Sequence, residues 1–142
     1  MASSCTATFT AKQTIDGNEQ FMIKFSFTAH TDGSFTSVST DDYSHEGQTL
    51  TWWVKGKSCD MGRVNPGSTA PTAGWDITVT DADSIDIFGG ELLDQDDADS
   101  KQAVPLIGSA YGPRWVNSAL TLNITNNSVN SATGDIYLHF VD

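Results

Sequence analysis

Apolar residues recur at every second position in several separate stretches of this chain, and that period limits the fold more than any other feature. Phe21, Ile23, Phe25 and Phe27 share one face of "QFMIKFSFTA", and Ala7, Phe9 and Ala11 share one face of "TATFTAK". Trp75, Ile77 and Val79 do the same in "WDITVTDAD". Period two is the signature of a strand with one buried face. Nowhere do three turns of apolar 3.6-residue periodicity occur with caps, so an all-β class follows. Composition supports it: apolar residues make up only 38%, and Ser, Thr, Asn, Asp and Gly supply polar strand faces and turns. A chain of 142 residues suits one core rather than two, so residues 1–142 are taken as one domain. The expected architecture is a single antiparallel β-sandwich or jelly-roll-like domain with long polar loops.

The first two runs are joined through Asp16-Gly17-Asn18, residues that tolerate positive φ, and are expected to form an antiparallel hairpin. Phe35 and Val38 mark a short strand or sheet edge. "TLTWWVKGKSCDMGRV" reads as a strand with Leu50, Trp52 and Val54 on one face and Trp53 and Lys55 on the other. "SIDIFGG" suggests a further short strand, and "ELLDQDDADSKQAVPLIG" an acidic loop interrupted by Pro105. At the end of the chain, Leu120, Leu122 and Ile124 alternate with polar residues, as do Ile136, Leu138 and Phe140 beyond a polar, uncharged connector. A C-terminal β-hairpin is expected there, its apolar face buried on a second layer or on a neighbouring subunit.

Charge excludes some functions. Seven Lys and Arg face 18 Asp and Glu, a net −11, so a phosphate backbone is repelled and no nucleic-acid partner is expected. The start "MASSCTATFT" lacks a basic n-region and an apolar h-region, and no stretch is apolar enough to span a bilayer. A soluble chain made in the cytoplasm, with no membrane partner, is expected. Cys5 and Cys59 are then expected as free buried thiols in a reducing compartment.

Patterns that carry chemistry are missing. His30, His45 and His139 do not have the i, i+4 spacing of a helical metal pair, and there is no GxSxG or Walker pattern. No catalytic residue, enzyme activity or cofactor is expected, and His139 reads as a solvent-exposed imidazole on a polar strand face. The carboxylates Asp81, Asp83 and Asp86, and Asp94, Asp96, Asp97 and Asp99, are grouped as hard cations prefer. Counted from Asp81, however, the sixth position of an EF-hand is Asp86 and the twelfth Leu92, so that motif fails. A solvated acidic loop is the simpler reading, and a calcium site on sandwich loops the alternative.

The aromatics point to contact surfaces. In "GSAYGPRWVNSALTL", Tyr111, Arg114 and Trp115 follow a Gly-containing bend, and rigid aromatics beside an arginine are the residue types that anchor protein interfaces. The competing reading has Trp115 plugging the end of the core and Arg114 paired with the acidic loop. Trp52 and Trp53 pose the same choice, except that adjacent strand residues face opposite ways, so both cannot enter one core.

Residues 86–140 carry a resemblance. The order "DIFGG", an acidic spacer, "AVPLIG", "YGPRWV", "LTLNITNNSVNSATG" and a final apolar strand resembles small β-rich structural proteins of tailed-bacteriophage virions. The resemblance implies a capsid decoration (cement) protein on the outside of a shell, with the major capsid protein as partner and self-association as a homotrimer. It implies no active site. Trp53, Tyr111, Arg114 and Trp115 are the residues then expected at the interface. Two other classes fit the same strands: a tail, adaptor or fibre component of the virion, and a carbohydrate-binding module with Trp52, Trp53, Trp75 and Trp115 as stacking platforms.

Overall fold

The computed structural model of the chain describes residues 2–11 and 18–142. The turn expected at Asp16-Gly17 lies outside them. β1 (Ser4–Ala11) and β2 (Gln20–Thr28) pair antiparallel without a break in register, Ser4 opposite Thr28 and Ala11 opposite Phe21. Three two-residue strands follow: β3 (Val38–Ser39), β4 (Ser44–His45) and β5 (Gln48–Thr49). One helical turn, α1 (Leu50–Val54), leads to β6 (Ser58–Pro66) and β7 (Asp76–Thr80). Beyond the acidic stretch lie β8 (Lys101–Ala103), β9 (Leu106–Ile107), β10 (Ala110–Tyr111), β11 (Arg114–Trp115), β12 (Thr121–Thr125) and β13 (Thr133–Val141). Among the described residues no helix is long and apolar enough to cross a membrane.

Two sheets carry the core. The larger runs β1-β2-β13-β6-β11, with β8 also on β6, and the smaller runs β3-β12-β7; every pairing is antiparallel. Alternation sets the faces as the sequence indicates. Phe21, Ile23, Phe25 and Phe27 of β2 and Ile136, Leu138 and Phe140 of β13 are at most 2% exposed, as are Ile77 and Val79 of β7. These residues and Leu122 and Ile124 of β12 belong to one cluster, and Trp75 lies 5.6 Å, centroid to centroid, from Phe27 on the opposite sheet. The all-β sandwich-like class is therefore the observed one.

The C-terminal hairpin is not. β12 pairs with β3 and β7, while β13 pairs with β2 and β6, so the connector carries the chain from one sheet to the other. Strand length explains the choice. β13 has nine residues, as do β2 and β6, whereas β12 and β7 have five. A β12–β13 hairpin would leave about half of β13 without ladder partners, and unpaired buried backbone is costly. Asn127 fixes the crossing: its side-chain N–H donates to the Gly33 carbonyl at 2.8 Å, and its side-chain oxygen accepts from the Thr72 N–H at 3.0 Å and the Val129 N–H at 3.1 Å.

"SIDIFGG" is also no strand. It makes one isolated bridge, Thr80 to Asp86, and its Ile87 and Phe88 are buried from a loop. The Asp86 carboxylate organises that loop, accepting from the Val79, Phe88 and Gly90 N–H groups at 3.2, 3.2 and 2.9 Å.

Both cysteines are free. β2 and β13 lie between the strands of Cys5 and Cys59, so at about 4.8 Å per strand the pair is far beyond the roughly 7 Å Cα separation a bridge tolerates. Cys5 is only half-buried, at the sheet edge; Cys59 is fully buried, and burial pushes both thiols above their ordinary range. In the native protein at pH 8, iodoacetamide is therefore expected to leave Cys59 unmodified while labelling it fully after denaturation. Intact-mass spectrometry with peptide mapping reads this directly. Rapid native labelling of Cys59 would mean that β6 opens easily.

Candidate interaction surface

The "TLTWWV" stretch forms a helical turn rather than the expected strand. The Thr49 hydroxyl accepts from the Trp52 N–H at 3.2 Å, an N-cap, and Leu50 and Val54 at i, i+4 both enter the core. Helical spacing then separates the two tryptophans. Trp53 packs among Phe9, Phe21 and His45, at ring distances of 4.9, 6.3 and 5.5 Å, and its indole N–H donates to the His45 carbonyl at 3.0 Å. It packs, half-buried, at the edge of the core. Trp52 faces outward instead, 58% exposed and edge-on to Trp53. Sequence reasoning weighed both tryptophans but assigned the interface to Trp53, because a strand would turn Trp52 inward with Leu50 and Val54. The signal present was the capping threonine followed by apolar residues four apart.

A second exposed apolar run comes from residues 104–115. Val104, Ile107, Tyr111 and Trp115 are all open to solvent, Tyr111 at 65% and Trp115 at 61%. Their segment folds as the small hairpin of β9 and β10, anchored by the Leu106 N–H on the Phe88 carbonyl at 3.2 Å and the Gly112 N–H on the Pro105 carbonyl at 3.0 Å. β11 places Trp115 opposite Ser58 on β6. Gly56 donates to the Val116 carbonyl and Val116 to the Lys57 carbonyl, both at 2.8 Å, so Trp115 is attached to the turn that follows α1. Trp115 is thus not a core plug. Arg114, half-buried, lies 3.7 Å from Asp81, which is the acidic-loop pairing of the competing reading. Of the four expected residues, Tyr111 and Trp115 are presented to solvent, Arg114 is partnered internally, and Trp53 is packed.

Two shallow grooves open on the surface of the described residues. One, of about 440 Å³, is lined by Glu19, Trp52, Trp53, Lys55 and Lys57, where Lys57 pairs with Asp142 and, at 4.0 Å, with Glu19. That contact with Lys57 holds the Asp142 carboxyl below its ordinary range. The other, about 400 Å³, lies on the outer face of the larger sheet and is lined by hydroxyls of Ser4, Thr6, Ser26, Thr28 and Thr133 beside Asp135.

Charge is unevenly spread. Nine of the 18 carboxylates fall between Asp76 and Asp99, a stretch without Lys or Arg. The strands of the larger sheet carry Lys24, Arg63, Lys101 and Arg114 against Asp60 and Asp135, a net +2 in a chain of −11. On its outer face the Arg63 guanidinium sits 4.1 Å over the Tyr137 ring, and His139 pairs with Asp60. The His139 side chain is 13% exposed, so it is a covered hydrogen-bond partner of Asp60 and not the exposed imidazole expected.

Several carboxylates of the acidic stretch accept backbone hydrogen bonds from within it. Asp81 accepts from the N–H groups of Asp83 and Ile85 at 2.9 and 3.0 Å, and Asp76 from the Asp94 N–H at 2.7 Å. Asp96 accepts from Ala98 and Asp99 at 2.6 and 2.9 Å, bonds that hold its carboxyl below the usual range. Among the described residues no group of three or more His, Cys, Asp or Glu is arranged to hold a metal ion.

No protein-family model matches the chain, and no curated protein matches it. Two solved structures are similar in outline. One is a chain of the cyanophage Pam1 capsid asymmetric unit, at 14% identity and a TM-score of 0.44, covering 99% of this chain and 84% of that one. The other is a low-affinity xylan-binding module from the gut symbiont Roseburia intestinalis, at 8% identity and a TM-score of 0.32, covering 100% and 96%.

Proposed function

We propose that this chain is a structural, non-enzymatic component of a tailed-phage virion that attaches to the outside of the capsid, contacting the major capsid protein through Tyr111 and Trp115 with Trp52 beside them. One observation carries the reading: Tyr111 and Trp115, each more than 60% exposed, project from the segment whose sequence resembles phage virion proteins. Large rigid side chains held in water by a backbone ladder are costly to a monomer and useful to an interface. The acidic surface fits an outward position, away from packaged DNA. Bound across adjacent shell subunits, such a chain stabilises the shell by mass action, since it binds the assembled state and not the separated one.

The test is the copy number of the chain in purified particles of the encoding phage, relative to the major capsid protein, by quantitative mass spectrometry. Hundreds of copies in a simple ratio support the capsid reading. A dozen or fewer assign the chain to the tail or its adaptor, and none removes it from the particle. For rebinding to stripped capsids, Trp115→Ala is expected to weaken affinity about thirtyfold while leaving the melting temperature within about 2 °C, because the ring contributes little to this core. Unchanged rebinding would remove Trp115 from the interface.

A second reading rests on Trp52 and Trp115, whose faces are open enough to stack on sugar rings. Trp75 is fully buried and Trp53 is packed, so only two of the four tryptophans remain for it. Retardation in glycan-containing gels that disappears in Trp52→Ala and Trp115→Ala would favour that reading.

A further inference from the structure

The outer edge of β1 carries backbone groups that point at nothing within the described chain. Thr133 donates to the Thr69 carbonyl and accepts from the Gly67 N–H, both at 2.8 Å, so its backbone faces the β6 side. Alternation along β13 turns Gly134 toward β2, where it lies opposite Phe27. Phe27 therefore faces β13, and Cys5, its neighbour on β1, points both backbone groups away from β2. Ala7 and Phe9 follow by the same alternation. Among the described residues the Cys5 carbonyl is met by the Tyr43 hydroxyl at 3.1 Å, while the outward N–H and C=O groups of Ala7 and Phe9 meet no partner.

Beyond the Tyr43 contact at Cys5, β1 carries no charge, proline or bulge to blunt its edge, and its register with β2 is unbroken over its eight residues. Ser4, Thr6, Thr8 and Thr10 are exposed on the outer face. On the inner face Cys5, Ala7 and Phe9 are only half-buried, whereas Phe21, Ile23, Phe25 and Phe27 beside them are at most 2% exposed. The apolar face thus continues past the point where the smaller sheet covers it, and one more strand would complete it.

We propose that this edge pairs antiparallel with β1 of a second copy, about a two-fold axis at Thr8. Reversed on itself about that residue, β1 sets Thr6 opposite Thr10 and Ala7 opposite Phe9, so the free groups of both copies meet in four backbone hydrogen bonds. Tyr43 closes the Cys5 end, which places the axis at Thr8 rather than Ala7. Charge favours a second copy here over any other seam. The acidic loop packs Ile87, Phe88 and Leu92 into the core, and a Cβ added at Gly62 on β6 would fall 2.8 Å from the Phe88 ring. The loop therefore lies toward β6, with β13 and β2 between it and the uncharged β1. Two copies of a −11 chain joined at β1 hold those loops at opposite ends of a doubled sheet. This two-fold dimer replaces the three-fold assembly that the phage resemblance implies, and it stands independently of the capsid reading.

Sedimentation velocity across a concentration series tests it, with three edge variants checked for native melting temperature. Ala7→Pro removes an outward N–H while sparing the β1–β2 ladder, and is expected to raise the dimer dissociation constant at least tenfold. Thr8→Lys and Thr8→Glu each place like charges across the axis and should do likewise, and an equimolar mixture of the two should recover the dimer. A wild-type chain that stays monomeric to about 1 mM overturns the proposal and leaves the edge for a strand of another protein. So does an oligomer that survives all three variants, or one lost in both Thr8 variants and not recovered by mixing them.

Discussion

Leu138→Asp is expected to leave no folded protein at neutral pH. Leu138 is 1% exposed in the middle of β13, with Ile23 of β2 opposite on one side and Gly62 of β6 on the other. Losing the leucine costs about 2–5 kcal/mol in transfer and cavity terms. The carboxylate must then be buried charged or bind a proton, at a cost of several kcal/mol more. Together these reach the whole stability of an ordinary domain, about 5–15 kcal/mol. Loss of near-UV circular dichroism and of dispersed amide resonances would record the result. Thr10→Asp, on the exposed outer face of β1, is expected to melt within a few degrees of the parent, so the contrast isolates burial from charge. A cooperative, dispersed Leu138→Asp protein would mean that β13 does not occupy the centre of the sheet.

The second large effect lies at the crossing between sheets. Gly33 has φ +88°, and a Cβ there would fall 2.7–2.8 Å from backbone atoms of Asn127 and Ser128. None of these atoms belongs to a flexible side chain, so Gly33→Ala adds left-handed strain to a backbone clash and is expected to destabilise by about 3 kcal/mol. For a chain of this size that is about 10 °C in Tm by calorimetry. Asn127→Ala removes the side chain that ties the connector to Gly33 and Thr72, and should cost about 2 kcal/mol. Asn127→Asp keeps the acceptor and loses the donor, so it should fall between Asn127→Ala and the parent. Equal melting of all three with the parent would show that the connector is not held at this point.

Much of this was legible in the chain. The alternation of β2, β7, β12 and β13 named their buried faces residue by residue, because a pleated strand sends successive side chains to opposite sides whatever its partner. The same pattern failed in "TLTWWV", where five residues are too few to separate period two from period 3.6 and a capping threonine decided for the helix. Tyr111 and Trp115 were identified by type, but their exposure came from β9, β10 and β11, two-residue strands whose pairing depends on β6 and the Phe88 loop. Trp52 and Trp53 exchanged their expected exposures for the same reason, a turn of helix standing where a strand was expected.

The sequence by itself determined the all-β class, the buried faces and the acidic stretch, since periodicity and charge act locally and survive any arrangement of the strands. Only the tertiary structure decided which strands are neighbours. β12 and β13 carry the same alternation, and nothing in it says whether they pair with each other or lie in opposite layers. The answer came from length. Nine-residue β13 fills the space between nine-residue β2 and β6, and five-residue β12 lies beside five-residue β7, satisfying more backbone groups than a terminal hairpin would.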